Sequence, residues 1–292
     1  MLLTLSASSL RSLIARPGRP SKAKAAVDLL DLPTFARESL GLHGLTLSTD
    51  LLAGVSRDFM EELRERADKA ACACLLLVDP DPLPLAHADE ARAAAAVDRA
   101  GRVLQAAQLL GCNAAAISVE GPDDDATFSR AVDRLRKAMA KAENLQLNLL
   151  LAPTHGLTQS PDRVAELLKK TGGFRLGTYP DFAAAAASDD PISYLRRLTP
   201  YASVVCASTT TFTGPRGGAA GKDIDAPVVH AEYDLTPLVE AIQSVGYEGT
   251  LSIDYRGTGD ATLGVIRSKT LLEAILDPDA TPFEFPEDEE DA

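Results

Sequence analysis

The chain has 292 residues, 46% of them apolar, which is enough for a substantial core and an ordinary length for one eight-stranded α/β barrel. Its formal net charge is −13, and an acidic chain is a poor match for nucleic acid, which requires a basic face. No apolar run reaches the roughly 18 residues of a membrane-spanning helix, so we expect no membrane span.

The beginning of the chain resembles a secretion signal only superficially. An early basic region is missing and Arg11 interrupts the apolar part, so residues 2–7 are predicted to contain a first strand instead. None of the four cysteines belongs to a CxxC pair, and we expect buried, reduced thiols rather than disulfides or a zinc site. These features favour a cytoplasmic protein.

Strand-like and helix-like segments alternate along the whole chain. Strands are predicted at residues 2–6, 44–48, 72–78, 114–119, 145–152, 174–178, 203–207 and 251–254. Helices are predicted at residues 32–40, 57–70, 89–110, 125–142, 161–170, 191–198, 235–245 and 263–276. Eight strand-helix units imply parallel pairing with right-handed crossovers, and they favour closure into an α/β (β/α)8 TIM barrel over an open sheet.

The barrel is expected to occupy residues 1–279 as a single domain, since no break in composition interrupts the alternation. Residues 280–292 hold six Asp or Glu and no Lys or Arg. A segment with this charge and so few apolar residues is predicted to be an acidic, disordered tail.

Charged side chains stand where several predicted strands end. Asp79, Glu120, Asp181 and Asp254 each follow a strand, and His155 lies shortly after the fifth. The carboxyl ends of the strands form the functional face of such a barrel, so these side chains can all face one cavity. For Asp79 and Glu120 the favoured interpretation is that they cap turns beside Pro and Gly, whereas His155 can bind substrate or be a hydrogen-bonded rim residue.

A glycine-rich loop at residues 213–222 follows the seventh strand. Barrels often bind phosphate with the loops after strands seven and eight, and the loop contains Arg216 and Lys222. Its spacing is not that of a Walker A loop, and no Ser or Thr follows the lysine. The alternative interpretation is a mobile surface loop.

Four stretches of the second half, in their order and spacing, resemble the xylose-isomerase-like family of sugar-phosphate isomerases and epimerases. They are Ala152-Pro-Thr-His155, Gly177-Thr-Tyr-Pro-Asp-Phe182, Gly246-Tyr-Glu-Gly249 and Ser252-Ile-Asp-Tyr-Arg-Gly257. The resemblance covers nearly the whole chain. It implies a barrel that acts on a sugar or sugar phosphate with a divalent metal, Mn, Mg, Zn or Co, held by Glu, Asp, His and Glu from strands five to eight.

The four implied metal positions are only partly kept in this chain. Ala152 stands in place of the first Glu and cannot be a ligand, while Asp181 matches the expected Asp. Cys206 stands in place of His, and Asp254 replaces the last Glu with a side chain one methylene shorter. A hard cation is held by charge and ligand number, so these changes predict weak or absent metal binding.

Two hypotheses therefore follow from the sequence. The first is a sugar or sugar-phosphate isomerase/epimerase-like protein whose metal site is eroded; the second is a non-catalytic binding or scaffold barrel derived from the same family. A related endonuclease is excluded by the acidic charge and the lack of a His-rich cluster. The candidate residues are Asp181, Asp254 and His155 for catalysis, Glu120, Arg216, Lys222 and Arg256 for substrate binding, and Asp181, Asp254 and Cys206 for a weakened metal site.

Overall fold

The computed structural model describes residues 1–16, 26–214 and 227–278. The predicted acidic tail and the phosphate-binding candidates Arg216 and Lys222 lie outside these residues. Among the residues described, no helix combines the length and the apolar character needed to cross a membrane.

Eight parallel strands form the centre of the fold. They are β1 Leu2–Ser6, β2 Gly44–Ser48, β3 Ala73–Val78, β4 Ala114–Ile117, β5 Asn148–Leu151, β6 Leu176–Thr178, β7 Val204–Thr209 and β8 Thr250–Tyr255. Each pairs with its sequence neighbour from β1 to β6, and β8 lies between β1 and β7. Isolated parallel bridges join Thr178 to Ala202 and Asp181 to Cys206, so the β6 side meets the β7 side and the barrel closes. The predicted (β/α)8 barrel is confirmed.

Helices surround the strands on the outside. They are α1 Leu32–Glu38, α2 Arg57–Lys69, α3 Glu90–Leu109, α4 Asp125–Asn144, α5 Pro161–Thr171, α6 Phe182–Ala186, α7 Pro191–Leu198, α8 Thr236–Gln243 and α9 Ala261–Leu276. Several start at a side chain that accepts a backbone N–H of the first turn, such as Asp124 for α4 and Asp260 for α9. Such caps fix where each strand-end loop turns into a helix.

Most predicted ends lie within two residues of those in the structure, and two differences are larger. The fifth strand was expected from residue 145, but α4 continues to Asn144 and Gln146 adopts a positive φ of 57°, so β5 begins only at Asn148. One helix was expected between the sixth and seventh strands, but α6 also precedes α7. The additional helix forms because Asp181 caps the chain directly after β6.

The core has two layers. Apolar side chains of the helices pack against the outer face of the sheet, and a smaller cluster fills the barrel interior. The interior residues are Leu76, Ala114, Ala116, Leu150, Ala152, Tyr179, Val204 and Cys206. Three of these are alanines, so little side-chain volume lies beneath the strand ends. All four cysteines are buried and unpaired, as predicted.

Candidate functional site

Four predicted site residues meet at the C-terminal ends of the last three strands. Cys206 points into the barrel interior, and Ser208, two residues further along β7, shares its face. The register pairs Ser208 with Asp254 of β8, while the closing bridge places Asp181 beside Cys206. Arg256 follows two residues after Asp254 and reaches back over the same cluster.

Asp181 uses both carboxylate oxygens. Oδ1 accepts the backbone N–H groups of Ala183 at 2.7 Å and Ala184 at 3.3 Å, and it also accepts the hydroxyl of Ser208 at 2.7 Å. Oδ2 is ion-paired with the guanidinium of Arg256. The residue is therefore a helix cap and an ion-pair partner at once, and its hydrogen-bonding capacity is largely consumed within the protein.

The Arg256 guanidinium bridges the two candidate catalytic carboxylates. Its Nε donates to Asp254 Oδ2 at 2.8 Å, and its Nη2 donates to Asp181 Oδ2 and lies 3.4 Å from Cys206 Sγ. Burial alone would lower the pKa of Arg256, but Cys206, Asp181 and Asp254 raise it above its ordinary value, so the side chain stays charged. Its side chain is 42% exposed, against 11% for each aspartate, so the cation forms the outer layer of the cluster.

One carboxylate oxygen of the cluster accepts no hydrogen bond from the residues that the structure describes. Asp254 Oδ2 accepts from Arg256 and lies 3.8 Å from the thiol of Cys206, whereas Oδ1 is buried without such a donor. Such an oxygen is uncommon because a buried acceptor without a donor is costly. Asp254 Oδ1 is therefore the site atom best able to accept a further hydrogen bond or a proton.

The inner side of the cluster is protonated. Burial, followed by the charges of Asp181 and Asp254, raises the pKa of the Cys206 thiol well above its ordinary value. Burial likewise raises the pKa of the neighbouring Tyr179 phenol, with Cys206 and Asp254 adding to the effect. In this metal-free arrangement Cys206 is thus a thiol at neutral pH.

These residues do not fit the divalent metal that the family resemblance implies. Ala152 contributes no donor atom, and both Asp181 and Asp254 already hold Arg256. Within the described part of the chain, no group of three or more His, Cys, Asp or Glu is arranged to hold a metal ion. A divalent cation placed between the aspartates would also meet the positive charge of the guanidinium.

Two side chains that sequence reasoning left out support the cluster. Tyr233 donates its hydroxyl to the Ser208 carbonyl oxygen at 2.7 Å and lies 3.3 Å from the Ser208 hydroxyl. Tyr179 lies within the 177–182 motif and could have been noted there, because it stands two residues before Asp181. Tyr233 gave no such signal, because it comes from the loop preceding α8.

The other predicted residues lie outside the cluster. Asp79 is a buried partner of Arg99, at 2.8 and 2.9 Å, and of the Thr49 hydroxyl at 2.8 Å, which favours its structural interpretation. Glu120 is exposed, and no hydrogen bond or ion pair joins it to the cluster among the described residues. His155 is exposed at a cleft of about 900 Å³ between the loops after β5 and β6.

Comparisons with known proteins agree with this architecture. The family model described as xylose isomerase-like TIM barrel matches residues 35–275, so the chain belongs to that family. No curated protein matches the sequence.

Solved structures show the same fold at low sequence identity. An L-ribulose 3-epimerase superposes with a TM-score of 0.76 at 14% identity, over 95% of both chains. IolI protein with a binding zinc atom gives 0.71 at 14%, over 97% of this chain and 100% of its own. The 3-keto-D-glucoside 4-epimerase YcjR from E. coli gives 0.69 at 13%, over 94% and 99%.

Proposed function

We propose that this protein is a sugar- or sugar-phosphate-binding barrel, derived from isomerases and epimerases, that operates without a divalent metal. The observation that most directly supports this proposal is the position of the Arg256 guanidinium between Asp181 and Asp254, where the family resemblance implies a metal. The family assignment and the sugar epimerases of the same fold support the ligand class. The four free cysteines favour a reducing compartment, so we also propose a cytoplasmic location.

The cluster suits hydroxyl or carbonyl groups better than a phosphate. Two carboxylates and one guanidinium carry a formal charge of −1, which repels an anionic group. Sugar hydroxyls can donate to carboxylate oxygens and accept from the exposed guanidinium. For a phosphorylated ligand, the phosphate end needs another cation, and Arg216 and Lys222 remain the candidates from the sequence.

A metal-independent isomerase or epimerase is the second candidate, because Asp254 Oδ1 is buried and unpartnered. A carboxylate in that state can take a proton from a bound sugar, with the Arg256 charge stabilising the oxyanion that develops. The proton would move from a carbon next to the carbonyl group to the carboxylate and leave an enediolate. Its delivery to the former carbonyl carbon, with the hydroxyl proton passing to the other oxygen, gives the isomer, whereas protonation of the same carbon on its opposite face gives the epimer. Asp181 is less suited to this role, since its oxygens are already engaged.

Calorimetric titration tests the binding proposal. We expect ketohexoses, ketopentoses or their phosphates to bind equally with and without EDTA, and Mn, Mg, Co and Zn to bind weakly or not at all. Tight stoichiometric Mn or Mg binding by the native protein would refute a metal-free site. EDTA-insensitive epimerisation that disappears in Asp254→Asn would favour the second candidate over binding alone.

A further inference from the structure

We infer that Arg256 is a built-in replacement for the metal: a fixed cation that holds the two site aspartates together and offers its remaining edge to the ligand. The inference deepens the proposed function and rests on it only for the ligand-binding part. The holding role concerns the protein alone and can be tested without any sugar.

The geometry of the cluster supports the holding role. Asp181 and Asp254 come from different strand ends and share one partner, since Nη2 and Nε of the same guanidinium contact them. Without that partner two carboxylates would stand unpaired at one site, each largely removed from water. Two carboxylates that contact the same guanidinium repel each other strongly when they are desolvated, and the positive charge of Arg256 offsets this repulsion.

The same geometry leaves one nitrogen for the ligand. Nε and Nη2 are engaged by Asp254, Asp181 and Cys206, whereas Nη1 donates to none of the described residues. Since 42% of the side chain is exposed, this edge is accessible to an oxygen atom of a bound molecule. Nη1 carries two N–H donors, which can hydrogen-bond to a carbonyl or hydroxyl oxygen of a ketose.

The inference predicts that removing Arg256 opens a cation site. In Arg256→Met a side chain of similar length lacks the charge, so the two aspartates should bind Mn²⁺ on the order of tenfold to 100-fold more tightly than the native protein does. Arg256→Lys keeps a positive charge and should show no such gain. Adding Asp254→Asn to Arg256→Met should abolish the gain.

A second arginine provides the matched control. Arg99 pairs through two nitrogens with Asp79 at the end of β3, and its side chain is also 42% exposed, but among the described residues it forms an ion pair with one carboxylate rather than two. Arg99→Met should therefore gain no Mn²⁺ affinity. Binding of Mn²⁺ is measured from the loss of the free-ion signal in electron paramagnetic resonance, together with the melting temperature with and without Mn²⁺.

Equal Mn²⁺ affinity in Arg256→Met and the native protein would overturn the inference, as would an equal gain in Arg99→Met. If Arg256→Met does not fold, the holding role is tested by NMR on the native protein. The Arg256 Nε–H resonance is assigned by its absence from the spectrum of Arg256→Lys. We expect this proton to exchange slowly and to persist in millimolar Mn²⁺; fast exchange or paramagnetic broadening would contradict a held guanidinium. Failure of the native protein to bind any sugar would instead count against the proposed function, leaving the holding role intact.

Discussion

Asp181 has two functions that a single substitution can separate. Oδ1 caps α6 and accepts from Ser208, while Oδ2 receives Arg256. Asp190 is the natural comparison because it caps the next helix, α7, through a single bond to the Ser193 N–H at 2.9 Å. The difference between the two residues includes the second capping bond and the Ser208 contact of Asp181 as well as its ion pair with Arg256, so Asp181→Asn is needed to isolate the charge.

We expect Asp181→Ala to lower the free energy of unfolding by about 2–3 kcal/mol, because it removes a cap and leaves a partly buried guanidinium with one partner fewer. Asp190→Ala should cost about 1 kcal/mol, the usual loss for a cap alone. Asp181→Asn should lie between them, since Asn caps helices well but carries no charge. Urea unfolding measures all three; equal losses for the two alanine variants would show that the Arg256 pair adds nothing.

Sequence reasoning predicted a weakened metal site but not the position of Arg256 between the two aspartates. Ala152 and Cys206 were recognised because family motifs fix their positions on strands. Arg256 was expected only to bind substrate, because the direction of a long, flexible side chain two residues beyond a strand cannot be inferred from spacing. The unpartnered oxygen of Asp254 likewise depends on three-dimensional packing.

The shortest of the eight barrel strands lies beside the closure of the barrel. β6 spans only Leu176–Thr178, and isolated bridges rather than a continuous ladder connect its side to β7. Gly177 lies at this junction: a Cβ there would stand 2.4 Å from the Tyr201 carbonyl oxygen and 3.0 Å from Leu150. A backbone carbonyl cannot move aside as a flexible side chain can, so the junction requires glycine.

Gly177→Ala is therefore expected to destabilise the protein by about 2–3 kcal/mol through overpacking. Gly259→Ala is the control, because its added methyl group would meet only the Tyr255 hydroxyl at 3.2 Å and should change stability by less than about 0.5 kcal/mol. Thermal and urea unfolding measure both. A Gly177→Ala protein as stable as the native one would mean that β6 and Tyr201 can separate without loss.

At the scale of elements, the period-two and helical patterns located all eight barrel strands, because burial on one or both faces imposes those periods. The ends were less predictable. Whether α4 ends at residue 144 or earlier depends on local φ angles such as that of Gln146. The formation of α6 depends on its cap, Asp181, which is also a site residue.

For the molecule as a whole, buried thiols predict how stability changes in alkali. Burial raises the pKa of Cys72 to about 11 and that of Cys74 to about 12, whereas thiols in an unfolded chain titrate at about 8.5. Above about pH 9 the unfolded chain loses these protons before the folded protein does. The free energy of unfolding therefore falls as pH rises towards 11, by up to about 1.4 kcal/mol per pH unit for each thiol.

A Cys72→Ala, Cys74→Ala protein should show a shallower decline between pH 9 and pH 11, whatever its stability at pH 7.5. Urea unfolding across this range compares the two slopes. Other groups also titrate in alkali, and they do so in both proteins. The effect of the two thiols is therefore read from the difference between the two slopes. Parallel curves would show that neither thiol is protected as its burial indicates.

The cation between Asp181 and Asp254 is a covalent part of the chain, and this changes how the site depends on its surroundings. A bound ion has a dissociation constant, so its occupancy follows supply, competing ions and chelators. The guanidinium arrives with folding, is present once in every molecule and cannot be exchanged. Such a site is also less adaptable than a metal site. The guanidinium has a single positive charge and a fixed shape, whereas a divalent metal ion has two charges and can accept new ligands.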